Sequence, residues 1–543
     1  MRRATAALLF ALFATLGLPR AAFPQGEDAV PVRPGTLRLV LAPDWAHWDH
    51  RFGEGTPGYP KGALEPLAVD FGSEALGVGR MPFLAAAQNR IRSLTGLPGF
   101  AVNLGRARLT LNANVRVMPL GFELGLTRRL SIAVSVPLVR SRVEAYLLGP
   151  DTSAAARGNV GFNPAFLTPG ALDAFRQQVD SALIALQTQA ASGPPALRAQ
   201  AQATLDAIGP HLCDLYALAG GSASSSASLC FATTPEAMSA LLPVAGTPAG
   251  DSLATVLARD QASYESLRTL YAAGVLPALN ATYLLPTTAL DSLQLRRLFS
   301  DPGGPLAGDS LTSIVRTRLG DIEASATYQV AASHGYRAQV AVTVRLPTGS
   351  RDSENNFIDV GTGDHQLDIE VAARNDIILG STFWIHAGVR YGRQFADQLM
   401  RRVTPANIPF APASSLALVR RDLGDYVAID LVPNWQLDDA FSLGLGYHYF
   451  AQGATTFDYV DPARDETRIG RPASVLGQET AVRRMRIGAG VTFSTLQRYA
   501  NHRASLPYTV TASYQNTFWG AGGAVPQAGV FRLVIRGYVT LWQ

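Results

Sequence analysis

The stretch that decides the fold is Arg337-Ala338-Gln339-Val340-Ala341-Val342-Thr343-Val344-Arg345-Leu346. Apolar Ala338, Val340, Val342, Val344 and Leu346 alternate with Arg337, Gln339, Thr343 and Arg345. Successive side chains of a strand point to opposite faces, so this strand has one apolar and one polar face. Working outward, the pattern recurs. Residues 321–330 precede it across Ser333-His334-Gly335, and residues 367–374 and 382–391 follow it, joined across Asn375-Asp376. Segments 426–432, 441–449, 484–493, 508–515 and 531–542 complete the C-terminal series. Upstream lie 36–41, the weakest, then 108–117 and 130–138, joined by Thr127-Arg128-Arg129.

The connections alternate in length. Short ones lie near 127–129, 333–335, 375–380 and 436–440, and 495–505 is intermediate. Long ones lie near 43–103, 149–312, 347–364, 394–424 and 452–478. Outer-membrane barrels have short periplasmic turns and long external loops, and an even strand count puts both termini in the periplasm. The expected fold is therefore an all-β transmembrane antiparallel β-barrel of about twelve strands (range about 10–14) with a large α-helical insertion. The expected organisation is a signal peptide over 1–25, N-terminal barrel strands with a possible hatch segment over 26–148, the helical insertion over 149–312, and C-terminal barrel strands over 313–543.

Composition agrees. The chain has 543 residues, 47% of them apolar, yet beyond the N-terminus no apolar run is long enough to span a bilayer as a helix. Its 50 Gly, 17 Tyr and 23 Phe suit strands, turns and interfacial aromatics. The net charge of +4 is mild, and no basic run interleaved with aromatics points to nucleic acid. Lys61 is the only lysine, so the basic residues are otherwise Arg, which we attribute to coding bias.

Met1-Arg2-Arg3 and the apolar run 6–18 read as a secretory signal, with cleavage near 22–26. Cys213 and Cys230 are the only cysteines. In an exported chain an even count suggests a disulfide, with two free thiols as the alternative.

An Arg on the lipid face at mid-membrane would cost ~2–4 kcal/mol, so the polar faces must point into the lumen. The expected lumen-lining set is Arg108, Arg116, Asp321, Glu323, Arg337, Arg345, Asp368, Glu370, Arg390, Asp430, Arg484, Arg486, Arg532 and Arg536. A three-residue turn at His334 places Glu323 opposite Arg345, the first of several expected ion-pair ladders. Such ladders can brace a moderately narrow barrel or form a polar path for solute.

The insertion changes period. Leu172, Phe175, Val179, Leu183 and Leu186, then Leu197, Ala201, Leu205 and Ile208, recur every three or four residues, as on amphipathic helices. Further helices are expected over about 252–273 and 288–299. They can pack on one another or cap or plug the barrel mouth. Asp44-Trp45-Ala46-His47-Trp48-Asp49-His50 and a possible helix over 83–94 could form a hatch in the lumen or an ordered external loop.

Gly250-Asp251-Ser252-Leu253 and Gly308-Asp309-Ser310-Leu311 both spell the nucleophile block of one class of serine esterases. The only nearby Asp-x-x-His is Asp44 to His47, upstream instead of downstream, and both blocks precede apolar stretches where Asp or Ser caps a helix. No catalytic residue is expected. Asp352, Glu354, Asn355, Asn356, Asp359 and Asp364 crowd residues 351–365, but Phe357 stands where a calcium loop needs glycine. His47 and His50 lack further zinc ligands. No metal or cofactor is expected.

Leu346-Pro347-Thr348-Gly349 and Asn356-Phe357-Ile358-Asp359-Val360-Gly361-Thr362-Gly363-Asp364-His365-Gln366-Leu367-Asp368 resemble a group of bacterial outer-membrane transporters of the phenol-degradation MetA-pathway type, near the FadL-like hydrophobic-compound channels. Gly125-Leu126-Thr127-Arg128-Arg129-Leu130 through Val136-Pro137-Leu138 is similar to the same group's first periplasmic turn. The resemblance covers roughly 100–148 and 320–543, not the insertion, and carries over no functional residue. It implies a channel of the bacterial outer membrane for passive uptake of small hydrophobic or aromatic compounds, with outer-membrane lipid, the barrel-assembly machinery and a small-molecule solute as partners. The alternative is a non-transporting surface protein whose insertion binds a partner or glycan.

Overall fold

A computed structural model describes residues 31–53, 55, 58–149, 157–164, 170–220, 230, 241–280, 285–301, 304, 306–309, 311–356, 358–405 and 408–542. The signal-peptide reading lies outside them, as do Ser310 and Phe357. The chain divides into two compact units. One comprises Met1–Asp70, Leu109–Leu147 and Leu311–Gln543, and the other Phe71–Arg108 and Leu148–Ser310.

The first unit is the barrel, a closed antiparallel sheet of twelve strands. In chain order they are β1 (Thr36–Leu41 continued by Asp44–Trp48), β2 (Arg108–Gly125), β3 (Leu130–Leu148), β4 (Ile314–Leu319 continued by Glu323–Ala332), β5 (Tyr336–Arg345), β6 (Asp368–Ile378), β7 (Phe383–Gln394), β8 (Tyr426–Gln436), β9 (Phe441–Gln452), β10 (Thr480–Ser494), β11 (Tyr508–Gly523) and β12 (Gly529–Thr540). Each pairs with its neighbour in sequence, and β12 pairs with β1 to close the ring. Closure leaves no unpaired edge. At the seam Leu541 N–H donates to the Gly35 carbonyl at 2.7 Å. Gly35 has φ +70°, and a Cβ there would meet the Trp542 carbonyl oxygen at 2.2 Å, so glycine is required on both counts.

Asp44–Trp48 is therefore part of a wall strand and not of a hatch or loop. Ala42-Pro43 interrupts β1 because proline cannot donate to the ladder. The short turns predicted at 127–129 and 333–335 join β2 to β3 and β4 to β5. The turn predicted near 375–380 falls at 379–382, because β6 continues through Asn375 and Asp376 to Ile378.

The surface inverts the polarity of a water-soluble protein. Val340, Val342, Leu346, Ile369, Val371, Ile429, Leu431, Leu445 and Ile535 are exposed, while Arg345, Asp368, Glu370, Asp430, Arg532 and Arg536 are buried. Aromatic rings band both ends. Phe383–Trp435, Phe441–Phe493 and Phe493–Tyr508 pack at 5.1, 5.1 and 5.9 Å at the short-turn end, and Trp45–Phe531 at 5.5 Å toward the long-loop end. Apolar staves between two aromatic girdles are what a bilayer selects.

Longer connections of this unit carry structure of their own. Asp397–Arg402, Leu416–Asp422 and Thr456–Tyr459 form a three-stranded sheet over a small core of Leu399, Val403, Val419, Phe457 and Tyr459. Short strands His50–Phe52 and Leu64–Pro66 pair beside Val525–Pro526. They carry Arg51, fully buried between Glu65 (2.7 Å) and Asp70.

The second unit contains helices α1 (Ala85–Thr95), α2 (Ala171–Ser192), α3 (Pro195–Leu218), α4 (Pro248–Arg268) and α5 (Ser292–Ser300). The predicted stripes are buried: Phe175, Val179, Leu183 and Leu186 on α2, and Ala201, Leu205 and Ile208 on α3. α1, over the stretch left open between hatch and loop, belongs to this unit, where Arg90 reaches Asp214 of α3 at 2.8 Å. Cys213 and Cys230 form a disulfide with Cα atoms 5.1 Å apart, a usual span for such a bridge. Thr247, not Asp251 or Ser252, caps α4 by accepting from Gly250 N–H. Asp251 accepts from Gly246 N–H, and the Ser252 hydroxyl donates to the Thr95 carbonyl at 2.7 Å.

Candidate functional site: the barrel interior

Inward side chains arise from parity alone. On β5, Arg337, Gln339, Ala341, Thr343 and Arg345 share one face. The predicted register holds: Glu323 pairs with Arg345, and the guanidinium lies 2.6 Å from Glu323 and 2.7 Å from Asp368 on the other side. Arg345 is thus a bridge across three strands. Gln394 Nε2 reaches Asp368 at 3.4 Å, and Gln452 Nε2 reaches Gln394 at 2.8 Å. The Tyr426 hydroxyl donates to Glu370 at 2.6 Å. Its ring crosses the strand between them by lying over Gly392, where a Cβ would fall about 2.0 Å from a ring atom. Phe450 stacks on Tyr426 at 5.8 Å, and the Arg484 guanidinium sits 4.5 Å over the Phe450 ring. Charge, amide and aromatic contacts therefore run from β4 to β10 near the long-loop end of the wall.

A second group lies nearer the short turns. His386 pairs with Asp376 at 2.8 Å, and Asp430 is held by His448 at 2.7 Å and Arg390 at 3.2 Å. Arg337, half-buried, faces Asp376 in register. A third group closes the seam. Arg532 grips Asp44 through both carboxylate oxygens, and Arg38 pairs with Glu123, which also accepts from Ser131 at 2.6 Å. Arg486 donates to Thr517 at 3.2 Å, and Arg536 is buried beside Val40 in register.

Three predicted residues stand elsewhere. Arg108 and Arg116 are exposed, while Leu109, Leu111, Ala113, Val115 and Val117 of the same strand are buried. They face outward because the polarity of β2 reverses above Met118, so its inner face there is apolar. Arg116 pairs in register with Trp45 at the aromatic band, and Arg108 bonds Glu74 at 2.9 Å. Asp321 sits in the break of β4 and accepts from the Gly349 and Asp364 N–H groups at 2.7 and 2.9 Å, anchoring a connection instead of lining the wall. Arg38, Glu123, Tyr426, Gln394 and His386 were not singled out beforehand, and Asp44 was not read as part of the wall. Continuing the alternation of 382–391 past its end would have found Gln394, whereas Glu123 lies in the opposite phase to Arg108 and Arg116, beyond the slip at Val117-Met118; no sequence signal pairs Arg51 with Glu65 and Asp70.

The acidic connection 351–365 uses its oxygens on arginine. Asp352 takes both terminal nitrogens of Arg401 at 2.6 and 2.9 Å, Asn355 accepts from Arg402 at 2.9 Å, and Asp359 meets Arg316 at 2.6 Å. Burial raises the Asp352 carboxyl, but the charge and hydrogen bonds of Arg401, with Arg421 beyond, outweigh it and leave the group below the ordinary carboxylate range. Burial lowers Arg401, and Asp352 more than restores it. At Asp359 burial wins, and its carboxyl is raised despite the Ser353 N–H and Arg316. Asp44 and His47, three apart on a strand, point to opposite faces, so they cannot act as an esterase pair. His47 instead meets Asn114 at 3.0 Å.

No family model matches the chain, and no curated protein does. Among solved structures, an outer membrane channel from Pseudomonas putida F1 aligns at TM-score 0.42 and 8% identity, over 95% of this chain and 99% of that one. The transport unit of the autotransporter AIDA-I from Escherichia coli aligns at 0.32 and 5%, over 98% and 99%. The Ralstonia pickettii toluene transporter TbuX aligns at 0.27 and 9%, over 93% and 89%. Likeness this distant carries no argument about function, which must come from the barrel's own residues.

Proposed function

We propose that this chain is an outer-membrane channel for passive uptake of small hydrophobic or aromatic compounds. One observation carries the membrane half of that reading: the closed sheet presents exposed Val340, Val342 and Ile369 outside and buried Arg345, Asp368 and Glu370 inside. No charged interior of that kind forms around an apolar exterior in water, because the hydrophobic effect would drive the two faces to exchange. The alternation of short turns with long connections orients it, with the short turns in the periplasm. The residues lining the wall from Arg345 to Arg484 brace the barrel and flank the solute route, and the motif resemblance at 346–368 supplies the solute class. Insertion into lipid would use the barrel-assembly machinery.

The test is solute flux through the full chain reconstituted in liposomes, with phenol as the neutral aromatic probe. Entry faster than in protein-free vesicles is expected. Equal rates, with the chain shown to be folded by a mobility difference between boiled and unboiled samples, would sink the reading.

A further inference from the structure

On the outward faces of the strands, arginine is confined to one end. Arg116 on β2, Arg140 and Arg142 on β3, Arg393 on β7 and Arg483 on β10 are all exposed, and all lie toward the long connections. Toward the short turns the same four strands set Phe122, Ile132, Val389 and Val491 outward and no charged residue.

Two of these arginines are neighbours. The 2.9 Å bond from Leu126 N–H to the Leu130 carbonyl sets the β2–β3 ladder. Counted up from that bond, Arg116 lies directly opposite Arg140. Like charges in directly opposite positions of a sheet repel. Arg142 is answered by Glu144 at 2.6 Å. Arg116 and Arg140 have no ion pair or hydrogen bond among the described residues.

The surroundings of the pair are graded. Arg116 stands in register with Trp45, whose ring packs on Phe531 at 5.5 Å. Toward the short turns come exposed Met118, Leu120 and Leu138. Met118 is two strand residues from Arg116, about 7 Å. Two unanswered cations, an aromatic ring and an apolar stave thus follow one another down the outer wall. A soluble anion matches only the cations, and a neutral lipid only the stave. An anionic amphiphile matches both, because arginine takes phosphate through paired N–H donors and basic residues at a membrane surface attract anionic lipid.

We propose that Arg116 and Arg140 form a docking site for a phosphorylated lipid of the outer leaflet, its phosphate between the two guanidinium groups and its acyl chains along Met118, Leu120 and Leu138. The site rests on the outer-membrane part of the proposed function and not on the solute route, so lipid binding and phenol flux are measured separately. The full chain in detergent is titrated with diphosphoryl lipid A, and the bound lipid is read from the mass of the intact complex. Saturable binding is expected. Arg116→Gln and Arg140→Gln should each weaken it about fivefold. Arg128→Gln, the same loss of charge in the short turn, should leave it unchanged.

No binding overturns the site, and so does a loss in Arg128→Gln equal to that in Arg116→Gln, which would reduce the attraction to net charge. Displacement of the lipid by inorganic phosphate at equal concentration would overturn the lipid assignment. Failure to bind lipid in a chain that still passes phenol removes the site and leaves the channel standing; lipid binding without phenol flux does the reverse.

Discussion

β2 and β3 each obey two opposite rules along one unbroken ladder. Toward the short turn, Met118, Leu120, Phe122, Ile132, Val134 and Leu138 are exposed, and Ser131 and Ser135 are buried. Beyond Val117 and Leu138 the outward residues are Arg116, Asn114, Arg140 and Arg142, and the buried ones are Leu109, Leu111, Val115, Val139 and Val143. The backbone does not change; the medium on each side does. Where lipid lies outside, apolar side chains face it. Where water does, the strand reverts to the soluble pattern and buries its apolar face.

The largest expected effect concerns the wet half. Arg345→Met removes the cation shared by Glu323 and Asp368, leaving two buried acids without it. The cost should be about 3–5 kcal/mol, read as a lower urea midpoint for unfolding in lipid vesicles. A midpoint within error of the parent would show that the inner wall is more hydrated than its burial implies. Next, Leu120→Arg puts a charge in the lipid band and should cost about 2–4 kcal/mol, whereas Thr110→Arg, outward on the same strand above the band, should change stability by no more than about 0.5 kcal/mol. Equal costs would break the two-media account of β2.

A smaller effect belongs to the connections. Asp352→Asn should cost about 2 kcal/mol by replacing the charged partner of Arg401. The pH dependence has a definite sign. The Asp352 carboxyl is lowered in the folded chain, so its stabilisation is complete above the ordinary value of 3.8 and is lost as pH falls through the lower, folded value. Amide protection factors at Leu399 and Val419, corrected for the intrinsic exchange rate, should match at pH 7 and 5 and fall only below pH 3.8. A fall already at pH 5 would refute the lowered carboxyl.

The strands were legible because a sheet with unlike faces must keep like faces paired. That requirement, with the turn at His334, gave the Glu323–Arg345 register. Arg108 and Arg116 were misplaced because a single lipid-facing rule was carried past the edge of the lipid. The correcting signal was present: Val117-Met118 and Leu138-Val139 are adjacent apolar residues, each a phase slip where one alternation hands over to its opposite. Asp44–Trp48 was missed for another reason. Its inward residues are Asp44, Ala46 and Trp48 and its outward ones Trp45 and His47, so no polar–apolar alternation marks it; Pro43 severs it from the preceding strand, and only pairing with β2 and β12 reveals the continuity. The Tyr426–Glu370 contact spans three strands over a glycine, a distance no local pattern encodes.

Arg532 and Asp44 meet across a sequence separation of 488 residues. The ring therefore cannot be locked until β12 has paired with β1. Until then the first strand has an unsatisfied edge and an acid without its counterion. β12 is thus the key that turns an open, aggregation-prone ribbon into a sealed cylinder. Chains shortened by that one strand should lose the whole barrel rather than one-twelfth of it.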